Sequence, residues 1–88
     1  DQQISLQERQ ARFNLNNLLE QYETQKRNVE ISKEVFENMK LKFEQGIVSS
    51  LELTSANSNY MSAEGGFTNV LFQLLDAELV LRKMNGNL

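Results

Sequence analysis

The sequence predicts an all-α fold, an antiparallel coiled-coil hairpin of two long helices at about residues 2–45 and 49–85, with a tight turn at 46–48. Three observations predict this fold. The 88 residues contain no proline, so nothing forces a long helix to break. Apolar residues recur at alternating spacings of three and four in both halves, which is the period of a coiled-coil seam. A glycine and a helix-capping motif lie together between the halves, where the chain must turn.

The first helix is predicted by a heptad pattern that runs through the N-terminal half of the chain. At 1.5 Å per residue, a helix of this length measures roughly 65 Å. Two polar residues, Gln25 and Ser32, interrupt the seam; they either specify the register of helix pairing or mark a locally wet stretch. The two rows of the seam are Leu15, Tyr22, Val29, Phe36 and Phe43, and Ile4, Ala11, Leu18, Gln25, Ser32 and Met39.

The surface of the first helix is largely charged but also carries apolar residues outside the seam. Glu8 with Arg12, and Glu23 with Arg27, have the i,i+4 spacing that favours ion pairs. Single exposed apolar residues are normal, but this number on one helix predicts a second packing partner. The residues concerned are Leu6, Phe13, Leu19, Ile31, Val35 and Leu41.

The turn is predicted by a stop signal and a start signal that follow each other closely. Gly46 lies where the first helix needs a left-handed residue to end. Ser49 and Glu52 form an S-x-x-E capping box, which predicts that the second helix begins with Ser49 as its N-cap. Val48 and Leu53 occupy the two positions of a hydrophobic staple.

The second helix follows a stricter heptad, and its register agrees with the turn. If the chain folds back at the turn, residues whose numbers add up to about 96 should face each other, such as Phe36 with Tyr60 and Tyr22 with Leu74. Bulky layers then alternate with layers that contain a small residue. The two rows are Leu53, Tyr60, Phe67, Leu74, Leu81 and Leu88, and Ala56, Ala63, Val70, Ala77 and Met84.

The second helix has four further features. The Gly65-Gly66 pair lies within the helix, either as a tolerated weak point or as a place where a neighbouring helix approaches closely or the helix bends. The surface over residues 54–73 is polar with Glu64 as its only charge, as in a wall facing a water-filled lumen or a wet contact with another helix. Toward its C-terminus the helix is apolar nearly all round, which predicts burial on several sides. The residues that make it so are Val70, Leu71, Phe72, Leu74, Leu75, Leu79, Val80 and Leu81. Asn85-Gly86 is the predicted helix stop.

The composition excludes most kinds of chemistry. The chain has no Cys and no His, so the usual nucleophile–base pairs and metal ligands cannot be built. No phosphate-binding or dinucleotide motif is present, so we predict no enzyme activity and no cofactor. The net charge of −3 gives no basic surface for nucleic acid. No apolar stretch is long enough to cross a bilayer, so we expect no direct membrane contact by this segment.

The stretch KFEQGIVSSLELTSANSNY at residues 42–60 resembles the TolC-like outer-membrane efflux protein family. That family carries an aromatic residue, a glycine, then Ser-x-Leu-Asp-Leu and an alanine-rich helix that ends near Leu-Gly. The resemblance covers essentially the whole chain and is most specific at residues 21–86. The matching residues are Phe43, Gly46, Ser49, Leu51, Glu52, Leu53, Ala56, Phe72, Ala77, Leu81 and Gly86.

The resemblance implies a place for this chain in a larger protein. Residues 1–88 would form a single helical hairpin, a fragment of the periplasmic α-helical tunnel domain of a trimeric outer-membrane efflux channel in a Gram-negative bacterium. The turn would dock a periplasmic adaptor (membrane fusion) protein of a tripartite pump. By position, the docking segment would be Gly46, Ile47, Val48, Ser49, Ser50, Leu51 and Glu52.

One departure and one alternative remain open at this point. Some family members place an Arg two residues after the glycine, paired with an Asp four residues later, to hold the tunnel closed. Here those positions are Val48 and Glu52, so the salt-bridge lock is in doubt and Glu52 is assigned to the capping box instead. The alternative function is a scaffolding coiled coil that self-associates to bury its outer apolar residues and has no role in transport.

Overall fold

The computed structural model describes residues 2–84 and residue 86, with side chains from Ser5 onward. It contains two helices, α1 at Gln2–Glu44 and α2 at Ser50–Met84, which pack against each other as a hairpin. The predicted fold is therefore confirmed, with helix ends within one residue of those expected. The hairpin measures 67 × 19 × 14 Å along its principal axes, which agrees with the predicted helix length.

The predicted heptad seam holds the two helices together. Leu18 of α1 and Ala56, Val70 and Ala77 of α2 are buried, and the other seam residues between the two ends are half-buried. The seam loosens at its ends, where the predicted seam residues Phe43 and Met84 are 42% and 39% exposed, because neighbouring layers cover them on one side only. The predicted seam positions of the Ile4 side chain and of Leu88 lie outside the described residues.

The pairing register agrees with the prediction along the hairpin, since the predicted partners Leu18 and Ala77 line one groove and Leu15 and Leu81 line another. The centroids of the Phe36 and Tyr60 rings lie 6.0 Å apart, as expected for facing residues whose numbers add up to about 96. The Tyr22 ring also lies 5.2 Å from the ring of Phe67, which is one heptad nearer the turn than the predicted partner Leu74. An aromatic side chain is long enough to reach the diagonal neighbour, which a rule based on residue number alone does not include.

The two glycines within α2 have different surroundings. A Cβ added to Gly66 would lie 3.0 Å from Oε1 of Gln25, so the missing side chain gives the Gln25 amide its place in the seam. Close approach of the neighbouring helix, one of the explanations offered for the Gly65-Gly66 pair, therefore applies to Gly66. A Cβ added to Gly65 would meet nothing within 4 Å, because this glycine lies on the outer surface.

Ion pairs contribute little to the described part of the hairpin. Arg12 donates a hydrogen bond of 2.8 Å to Glu8, as its spacing predicts, and Arg82 donates one of 2.9 Å to Glu78. Both pairs are solvent-exposed, and such pairs contribute at most about 1 kcal/mol each. Among the residues with described side chains, the predicted pair of Glu23 with Arg27 does not form.

Both helices leave large apolar side chains uncovered. All six off-seam apolar residues predicted on α1 are exposed, between 44% for Leu19 and Val35 and 70% for Phe13. The apolar part of α2 is also left open by its single partner. A hairpin with this much exposed apolar surface is suited to packing against further helices. The exposed residues of α2 in this region are Phe72, Leu75, Leu79 and Val80.

Candidate functional site

The turn that joins the helices begins where α1 ends in a Schellman motif. Gly46 adopts a left-handed conformation with φ of 77°, and its N–H donates to the carbonyl of Phe43 at 3.0 Å. The N–H of Ile47 donates to the carbonyl of Lys42 at 2.9 Å. These two bonds satisfy carbonyls that would otherwise be unpaired at the helix end. The predicted helix stop at Gly46 is thus confirmed.

The start of α2 is the predicted capping box. The N–H of Ser49 donates to the Glu52 carboxylate at 2.9 Å, and the N–H of Glu52 donates to the Ser49 hydroxyl oxygen at 3.2 Å. Both side chains therefore hold backbone groups of the first turn, and the Glu52 carboxylate also lies at the positive end of the helix dipole. The capping role assigned to Glu52 is confirmed.

We expect Ser49→Ala to lower the free energy of unfolding of the 88-residue chain by about 1 kcal/mol, because the N-cap hydroxyl is lost. Ser50→Ala is the matched control, since Ser50 is also exposed and its side chain is not part of the capping box. Urea unfolding followed by circular dichroism measures both variants. Equal stability of the two variants would show that the capping box does not hold the turn.

The tip presents apolar side chains to solvent. Ile47 is 66% exposed and Leu51 is 74% exposed, although both are large aliphatic residues. Val48 and Leu53 are half-buried, as expected for the two positions of a hydrophobic staple. The remaining residues of the predicted docking segment, Gly46, Ser49, Ser50 and Glu52, are exposed.

The structure adds one residue to the tip that sequence reasoning missed. Phe43 was assigned to the seam, but it is 42% exposed and lies in the last turn of α1. Its position as the last member of its heptad row, directly before the turn, is the feature that could have indicated this. Together with Ile47 and Leu51, it gives the tip three exposed apolar side chains on two helix ends.

This arrangement is suited to binding another protein. The backbone of the turn is fixed on both sides by hydrogen bonds, so its apolar side chains are displayed in a defined geometry. Within the described residues, no group of His, Cys, Asp or Glu side chains could hold a metal ion.

A glycine in the left-handed conformation also follows the other end of α2, where Gly86 has φ of 72°. Asn85, the other residue of the predicted helix stop, lies outside the described residues.

The family model described as outer membrane efflux protein matches residues 2–87 of this chain. No curated protein and no solved structure matches it. Within the part of the chain that the structure describes, neither helix is long and apolar enough to cross a membrane.

Proposed function

This chain belongs to the outer membrane efflux protein family, and on that premise we propose that it is one helical hairpin of a periplasmic α-helical tunnel whose turn docks a periplasmic adaptor protein. The parent protein is a trimer in the outer membrane of a Gram-negative bacterium. Export then proceeds through a tunnel without covalent chemistry. The hairpin is a piece of the tunnel wall, and other parts of the trimer cover its outer apolar residues.

The observation that carries the proposed docking is the exposure of Ile47 and Leu51 at a rigid tip. Burying two such side chains against a partner contributes about 1.5–3 kcal/mol each, relative to leaving them in water. A turn whose only task was to connect two helices would gain nothing from displaying them. Binding energy at interfaces is concentrated in a few apolar anchors surrounded by polar residues. Here the exposed polar residues Ser49, Ser50 and Glu52 lie close to the two anchors in sequence.

Site-specific photo-crosslinking from Ser50 in the intact parent protein, in its own cells, tests this proposal. Ser50 lies beside Leu51 and its side chain is exposed, so a photoreactive residue there should not disturb the fold. We expect a crosslink to a periplasmic protein that contains a helical hairpin. Ser58 is the control position, since it is exposed on the same helix about two turns from the tip.

The exposed apolar surface away from the tip also suits the alternative, a self-associating scaffold. The same crosslinking experiment separates the two functions. Crosslinks from Ser50 only to other copies of the parent, or an equal yield from Ser50 and Ser58, would favour the scaffold and count against adaptor docking.

A further inference from the structure

The hairpin has two broad faces and two narrow edges. In an antiparallel pair, residues that flank the seam on one side of α1 share a broad face with those that flank it on the same side of α2. Two shallow grooves along the seam show which residues lie together. One groove is lined by Asn14 and Gln73, and the other by Leu19 and Glu78. These two pairs therefore mark opposite broad faces.

The face that contains Asn14 and Gln73 consists mainly of uncharged polar side chains, and we call it the amide face. Its exceptions are Asp76, a carboxylate that lines the same groove, and the exposed apolar residues Ile31 and Val35. On α1, positions spaced alternately by three and four from residue 7 to residue 38 hold no charge at all. On α2 the same is true from residue 55 to residue 73. Exposed residues of the amide face include Asn14, Asn17, Gln21 and Asn28 of α1, and Ser62 and Asn69 of α2.

The opposite face of α1 carries charges of alternating sign, and we call it the charged face. Each member is three or four residues from the next, so the charges form one continuous stripe along the helix. All of them are exposed, and none forms an ion pair within the described side chains. Its residues are Glu23, Lys26, Glu30, Lys33, Glu37 and Lys40.

The narrow edges, which point away from the seam, are apolar in the half of the hairpin distant from the turn. Phe13 is 70% exposed on the edge of α1, and Phe72 is 66% exposed on the edge of α2. Leu6 and Leu79 lie one heptad further along the same edges and are also exposed. Helical hairpins that pack edge to edge on both sides form a wall. In a closed wall, one broad face points to the enclosed space and the other points to the outside.

We infer that the amide face lines the aqueous conduit and that the charged face lies on the outside of the wall. This inference rests on the tunnel proposed above. Side-chain size supports this orientation, because the inner face of a closed wall has less room and the α2 part of the amide face carries Ser55, Ser62 and Gly66. Charge supports it as well. Fixed charges in a narrow pore bind ions and select among solutes, whereas neutral amides and hydroxyls offer hydrogen-bond donors and acceptors alike.

The consequence concerns the solutes that pass. A conduit wall of amides and hydroxyls admits polar solutes of either charge, because it attracts neither cations nor anions selectively. The amide face would therefore contribute no charge filter over residues 7–38 of α1 and 55–73 of α2, and Asp76, beyond that range, would be a fixed negative charge on it. Selection among exported compounds would have to occur at other places in the transport system.

Conductance of the intact parent in planar lipid bilayers, under a salt gradient, tests the inference. Asn28→Asp should shift the cation-to-anion permeability ratio towards cations and Asn28→Lys towards anions, each by roughly twofold, because every subunit adds a charge to the conduit. Asn17→Asp is a second variant of the same face. Glu30→Gln and Lys33→Gln are the matched controls on the charged face, and we expect them to leave the ratio unchanged.

The outcomes separate this inference from the proposed function. A wild-type parent that conducts, with a ratio that responds to Glu30 and Lys33 variants and not to Asn28 or Asn17 variants, would reverse the orientation and overturn the inference while the channel function stands. A ratio that responds to neither face would also overturn it, since the amide face would then be packed against protein. A wild-type parent that carries no current would overturn the proposed channel itself.

Discussion

Gly46→Val is expected to abolish export by the intact parent protein while the protein still reaches the membrane. Gly46 has φ of 77°, a conformation that a β-branched residue adopts only with strain of about 1–3 kcal/mol. The backbone can relieve this strain by opening the two hydrogen bonds that end α1, from Gly46 to Phe43 and from Ile47 to Lys42. Ile47 would then leave its position at the tip, and the proposed docking surface would be lost.

Growth of cells in the presence of exported drugs measures this effect, together with the amount of parent protein in the outer membrane. Gly46→Asn is the matched control at the same position, because asparagine adopts the left-handed conformation more readily than other residues with a side chain. We expect near-normal resistance for that control. Full drug resistance of the Gly46→Val strain would show that the geometry of the turn does not matter for export.

Leu51→Asp is expected to have the second largest effect, a loss of adaptor docking without a loss of folding. Leu51 is 74% exposed, so its removal takes almost nothing from the seam. An aspartate in the first turn of α2 also interacts favourably with the helix dipole, so the free energy of unfolding should change by no more than about 0.5 kcal/mol. In an apolar docking contact, by contrast, a buried unpaired carboxylate is costly.

We expect the yield of the Ser50 crosslink to the adaptor to fall roughly tenfold in the Leu51→Asp variant, which corresponds to about 1.4 kcal/mol of binding free energy. Met61→Asp serves as the comparison, because Met61 is 62% exposed on the same helix but lies away from the tip. Its crosslink yield should equal that of the wild type. An undiminished yield from Leu51→Asp would remove Leu51 from the docking surface and leave Ile47 and Phe43 as the candidates.

Much of the fold follows from local sequence features. The ends of both helices at the turn could be predicted because the groups that end a helix are close in sequence: Gly46 supplies the left-handed residue, and Ser49 and Glu52 cap each other's backbone groups. The seam could be predicted because a period of three and four places apolar residues on one side of a helix, whatever it packs against. The predicted docking segment follows from the same local signals together with the family resemblance.

Other features depend on which residues contact each other across the seam. The heptad period alone does not determine these contacts. The contact of Tyr22 with Phe67 depends on how far an aromatic ring reaches, and the place of Gln25 depends on the missing side chain at Gly66. The exposure of Phe43 depends on where the last covering layer of the seam ends. Each of these is a three-dimensional packing result and has no counterpart in residue spacing.

The sequence by itself determined the two helices, the turn between them and the residues of the seam, because hydrogen bonds within four or five residues and a helical period fix all three. Only the tertiary structure decided which apolar residues remain in water. Ile47, Leu51 and Phe43 at the tip are as apolar as the seam residues, and their role differs because one partner helix covers only one side of each helix. The uncovered remainder is the surface available for the partners proposed above.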